Sequence, residues 1–165
     1  MDSKYEKVSL IHDEFGKEEF IVAKGSYNLI EVNPELWEFT IYFEASNALT
    51  RAKELENAIS DPEPHFEATA LLKKSSLHLF EGKIIEQKES WDYDREENLS
   101  NVYYFEHANL ENLRIEIVKS ETDFLKALVS GRTLINGSNG NDPDATIETT
   151  PITFYKDKNL ERSVM

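Results

Sequence analysis

The feature that most constrains this chain is residues 36–44, Leu-Trp-Glu-Phe-Thr-Ile-Tyr-Phe-Glu, in which Trp37, Phe39, Ile41 and Phe43 alternate with Glu38, Thr40, Tyr42 and Glu44. Successive side chains of a β-strand point to opposite faces. A period of two therefore sends one indole, two phenyl rings and an isoleucine to one side and two carboxylates to the other. A helix would scatter the same residues around its circumference. Burying a side chain of this kind is worth roughly 1.5–3 kcal/mol, so four on one face anchor a sheet once neighbouring strands cover them.

The rest of the chain supplies neighbours. Residues 5–11, 19–23 and 27–32 read as a meander with turns at Gly16 and Gly25-Ser26, and Asn33-Pro34 breaks it just before the anchor strand. Over 66–72 the alternation returns, with Phe66, Ala68, Ala70 and Leu72 on one face. Glu81-Gly82 suits a hairpin between 77–80 and 83–88, and 102–107 with 113–119 form a second hairpin around a loop at 108–112. Residues 146–149 and 152–155 read as one broken strand, which Pro151 places at a sheet edge.

Two segments carry helical spacing instead. Leu49, Ala52, Leu55 and Ile59 predict a helix over 49–59. Ser120-Glu-Thr-Asp123 has the form of a capping box, and Phe124, Leu125, Leu128 and Val129 make one apolar face behind it, so a second helix is predicted that Gly131 stops. The expected fold class is α+β: a mainly antiparallel, curved β-sheet, up to a half-barrel, with two short helices packed on it. A chain of 165 residues makes one domain, 1–165. Its expected soft parts are a mobile loop over 136–145, rich in Asn, Gly and Asp, and a frayed tail over 156–165.

Charge narrows the function. Thirty-two acidic against eighteen basic residues give a net charge of −14. A protein that grips a nucleic-acid backbone clusters Lys and Arg, whereas Arg51, Arg95, Arg114, Arg132 and Arg162 are spread along the chain, so nucleic acid is not an expected partner. The acidic field instead favours a basic partner and speeds its arrival roughly 10- to 1,000-fold at low salt. No cysteine is present, which removes disulfides, thiolate metal sites and cysteine nucleophiles. The first residues are interrupted by charges and contain no leader-like or membrane-spanning apolar run, so cytoplasmic residence without a membrane partner is expected.

Catalytic and cofactor patterns are missing. His12, His65, His78 and His107 are dispersed, no Gly-x-Ser-x-Gly elbow occurs, and neither glycine-rich nucleotide motif is present. The expectation is a non-enzymatic protein with no catalytic residues, no cofactor and no metal.

The best interaction candidate is residues 86–97, where Glu86, Glu89, Asp92, Asp94, Glu96 and Glu97 surround Trp91 and Tyr93. Carboxylates steer and orient a basic partner, while indole and phenol rings supply rigid contact area. The plainer alternative is a solvated loop between hairpins with Trp91 folded onto the core. The spacing Asp92-x-Asp94-x-Glu96 offers oxygens to Ca²⁺, but the loop has glutamate where the calcium motif needs glycine and tyrosine where it needs its last glutamate.

These observations predict an acidic binding protein that docks a basic protein partner, for instance an immunity protein or inhibitor of a cationic toxin. Two alternatives stay open. One is a small apolar-ligand carrier or enzyme on a curved sheet, with Trp37, Phe39, Phe43, Phe66, Tyr103 and Phe105 lining a cavity. The other is a self-assembling structural subunit that pairs through exposed strand edges.

Overall fold

The computed structural model describes residues 5–13, 16–50, 64–104, 106–134 and 143–157. The anchor segment is strand β3 (Leu36–Thr50), flanked by β2 (Gly16–Asn33) and β4 (His65–Lys73). Phe39, Ile41 and Phe43 are fully buried, as the alternation requires. Across the β3–β4 ladder Phe39 stands opposite Ala70 and Ile41 opposite Ala68, so large side chains face small ones and the two strands fill one layer. Phe43 stands opposite Phe66, their rings stacked with centroids 4.5 Å apart, and Phe154 meets Phe43 edge-on at 5.9 Å.

The sheet continues through β8 (Asn101–Tyr104), β9 (Glu106–Ser120) and β10 (Phe124–Thr133). Beyond β10 run β11 (Ala145–Thr149) and β12 (Ile152–Lys156), one strand broken at Pro151, and β1 (Lys7–His12) closes the ring by pairing with both β11 and β2. In order around the ring come β1, β2, β3, β4, β8, β9, β10 and the β11/β12 pair. All ladders are antiparallel except β12 with β2, where Tyr155 pairs with Ser26 and Lys156 with Tyr27. The result is a closed, mixed β-barrel of a size whose interior side chains can fill.

This corrects the α+β expectation. Strands make up 71% of the structure and no α-helix occurs among the described residues. The segment predicted as the second helix is β10, whose burial alternates strictly, with Leu125, Ala127, Val129, Gly131 and Thr133 inward. Phe-Leu-Lys-Ala-Leu-Val fits periods of both 3.6 and two, and the ladders to β9 and β12 select two. Of the first predicted helix, residues 49–50 end β3, and 51–59 lie outside the described residues.

Other local expectations shift as well. The expected loop at 108–112 is strand, paired with β8 on one side and β10 on the other, with Asn112 at a positive φ of 51°. Gly82, at φ 94°, does make a turn, but the strand after it, β5 (Ile84–Gln87), pairs with β9 and not with 77–80. The broken strand β11/β12 lies inside the ring rather than at an edge, because β1 and β2 cover its far side. Of the expected loop over 136–145, residues 136–142 lie outside the described residues, while Asp144 donates to the Thr133 carbonyl at 2.9 Å and accepts from the Asp13 amide at 2.8 Å. In the expected tail, Lys156 ends β12, the Asp157 amide donates to Tyr27 O at 2.8 Å, and 158–165 lie outside the described residues.

Candidate functional site

The β4–β8 ladder is short, and this positions the acidic segment. It holds only from His65 to Glu67. Farther along β4 the amides find side chains instead: Thr69 donates to Ser100 Oγ and Leu71 to Gln87 Oε1, each at 3.0 Å. Through this seam the chain leaves at Ser90 and returns at Ser100, both almost fully buried. Leu99 donates to Ser90 O at 2.6 Å and Ser90 Oγ to Ser100 O at 3.0 Å, which fastens the two ends together. Between them β6 (Trp91–Asp92) and β7 (Glu97–Asn98) form a hairpin carrying most of the acidic run.

One aspartate organises that hairpin. Asp92 Oδ1 accepts from the Asp94 amide at 3.0 Å and Oδ2 from Arg95 Nε at 2.7 Å, while Glu96 takes the left-handed φ of 52° that completes the turn. The Arg95 guanidinium beside Asp92 holds its carboxyl below the ordinary aspartate range, and burial opposes that effect. Arg95 also donates from Nη1 to Glu38 on the outer face of β3 and pairs with Glu97 at 3.3 Å. One cation thus straps the hairpin onto the sheet.

The candidate residues accordingly divide by role. Asp92 is buried and spent on the turn, and Glu97 shares Arg95. Glu86, Glu89, Asp94 and Glu96 are exposed carboxylates. Trp91 is 43% and Tyr93 73% exposed, so the indole is not folded onto the core. Glu86 stands apart on β5, opposite Arg114 of β9.

Beneath the hairpin the outer face of β2, β3 and β4 forms a groove of about 280 Å³ that sequence reading missed. Asn28, Thr40 and Thr69 cross its floor, with the two threonine hydroxyls hydrogen-bonded at 2.8 Å. Glu38 lies toward one end, Glu67 and Asn101 toward the other, and Asn98 comes from the hairpin. The signal for it was the polar half of the anchor alternation, Glu38-x-Thr40, read only as a solvent face. On the same outer face Tyr42 donates to Glu44 at 2.7 Å; burial, with that carboxylate next, pushes the phenol up to about 12. His65 stacks on Tyr103 at 4.8 Å, so Tyr103 belongs to this face and not with the interior rings.

A second polar cluster lies inside the barrel. Glu18 of β2 is fully buried; Oε1 meets His12 Nε2 of β1 at 3.0 Å and accepts the hydroxyl of Tyr104 from β8. Oε2 of Glu18 is buried without a hydrogen bond among the described residues. The three groups join strands distant in sequence, and burial leaves them no visible access for a substrate, so they serve as a tie across the interior.

No group of three metal-ligating side chains forms among the described residues, and no helix there is long and apolar enough to cross a membrane. Compared with protein-family models, with characterised proteins and with solved structures, the chain finds no match in any of the three.

Proposed function

We propose that this protein is a non-enzymatic acidic binding module that docks a basic protein partner through the β6–β7 hairpin and the sheet face beside it. The observation that carries the reading is the exposure of Trp91 and Tyr93 among the free carboxylates Glu89, Asp94 and Glu96, on a hairpin anchored at Ser90, Ser100 and Arg95. Rigid aromatic area within a like-signed field is the arrangement that concentrates binding energy and steers an oppositely charged surface. Glu86 extends the acidic field along β5. A net charge of −14 acts in the same direction over the whole molecule. An immunity protein or inhibitor covering the active site of a cationic toxin is the specific form of this function that we favour.

The test uses the tagged protein and its Trp91→Ala/Tyr93→Ala variant on parallel columns loaded with host extract at low salt, followed by a salt gradient. A basic protein should leave the parent column stoichiometrically at moderate salt and be depleted at least about tenfold on the variant column, the loss typical of removing central aromatic contacts. Equal retention by both columns, or retention of no basic protein by either, would discard the reading.

A further inference from the structure

The carboxylates of the groove under the hairpin already show the kind of group they pair with. Two of the groove's three glutamates, Glu38 and Glu97, are already bridged by the chain's own guanidinium, Arg95, which is not itself part of the groove's lining. Toward the end away from Glu38, Glu67 is exposed and makes no hydrogen bond or ion pair among the described residues. Glu67 stands opposite Tyr42 on β3, four residues along from Glu38, which places the two ends about 13 Å apart at strand rise. Between them lie the hydroxyls of Thr40 and Thr69, and in the floor the carboxamide oxygen of Asn28, which is buried without a hydrogen bond among the described residues and adds an acceptor dipole. Asn101, paired with Glu67 across the β4–β8 ladder, brings a further carboxamide.

The geometry points to a second guanidinium subsite at the Glu67 end of this groove, filled by an arginine side chain of the basic partner. An anion has no place there, since the groove's lining holds three glutamates and no basic residue. Guanidinium suits it better than ammonium. A planar fork of five donors can meet a carboxylate in a bidentate manner and still reach neighbouring hydroxyl and carboxamide oxygens, whereas an ammonium is a compact point charge. This inference rests on the docking reading above and assigns to the partner one side chain and its seat.

The test titrates an acetylated, amidated hexa-arginine peptide into the full chain, with calorimetry for affinity and amide shifts for location. Glu67→Gln is compared with Glu148→Gln, an equal loss of charge at an exposed position of β11. Glu67→Gln should weaken binding about tenfold more than Glu148→Gln, as loss of a charge-assisted bidentate contact does. Peptide-induced shifts should centre on Thr40, Thr69 and Asn101, and hexa-lysine should bind more weakly than hexa-arginine. Equal weakening by the two variants, shifts elsewhere, equal affinity for both peptides, or no binding would overturn the subsite. Binding that needs Glu67 but is untouched by Trp91→Ala/Tyr93→Ala would keep the subsite and count against the hairpin as the docking element, while the reverse pattern would keep the hairpin alone.

Discussion

At the scale of residues, two carboxylates carry opposite lessons. Asp92 lies in the acidic run but is committed to its own turn and to Arg95, which holds its carboxyl below the ordinary range. The sign of the pH effect follows from that depression. As pH falls, the unfolded chain binds the proton first, so the support this pair gives the hairpin is complete above the ordinary aspartate range and drains only as pH drops through the lower folded value. The Asp94 amide, which donates to Asp92, should therefore keep its shift and exchange protection from neutrality down to about pH 5 and lose them only below about pH 4. Loss already between pH 5 and 6 would show that the turn does not depend on this carboxylate. Glu18 is the opposite case, a carboxylate with no exposure whose support is the Tyr104 hydroxyl and the His12 ring. Tyr104→Phe should cost about 1–3 kcal/mol in urea denaturation, because it strips a donor from a buried acceptor. Tyr93→Phe, on a ring 73% exposed, should stay within about 0.5 kcal/mol of the parent.

At the scale of elements, two glycines first read as punctuation prove to be points of close approach. A Cβ on Gly131 would lie 2.6 Å from Leu110 Cδ1 and 3.0 Å from the Glu111 carbonyl oxygen, inside the β9–β10 ladder where its register shifts. A Cβ on Gly25 would lie 2.5 Å from the Thr153 carbonyl oxygen, at the seam where β12 meets β2. Gly131→Ala and Gly25→Ala should each destabilise by about 1–3 kcal/mol, the usual cost of forcing an extra carbon into a packed layer. Gly25→Ala should cost more, since its nearest obstacle is backbone and cannot rotate away. Chemical denaturation of the two variants checks both the size and the order. Where the β4–β8 ladder stops, Ser90 and Ser100 replace it with side-chain bonds, and that substitution lets a hairpin leave a barrel wall without opening it.

At the scale of the whole molecule, closure has consequences for the alternative functions. Within the ring each strand has neighbours on both sides, so the exposed edges on which self-assembly would rest are covered there. Phe66 and Phe154 both pack against Phe43, with Phe39 equally buried, which weakens a reading that needs these rings to line a ligand cavity. What remains available is the outside: the hairpin, the groove and the acidic field. Association with a basic partner should accordingly lose on-rate steeply with salt, because exposed charges are screened beyond about 8 Å at physiological ionic strength. Stopped-flow association of the partner at rising ionic strength measures this, and a flat dependence would remove electrostatic steering from the account.

What the sequence determined by itself is what depends on neighbouring residues in the chain. The alternation over 36–44 set strand, face and core, because side-chain direction in an extended chain is fixed by period alone. The absence of cysteine and the excess of carboxylates bounded the chemistry in the same local way. The tertiary structure decided everything that depends on who lies beside whom. Phe124-Leu-Lys-Ala-Leu-Val satisfies helix and strand alike, and its neighbours β9 and β12 turn it into a barrel wall. Asp92 is tied up locally by the Asp94 amide and Arg95, but that Arg95 also straps the hairpin to the sheet depends on Glu38, more than fifty residues earlier, lying under it. The groove exists because β2, β3, β4 and the returning hairpin converge, and ring closure because β1 finds both β2 and β11. Those pairings are set by packing between distant segments, which no local pattern in one chain can encode separately.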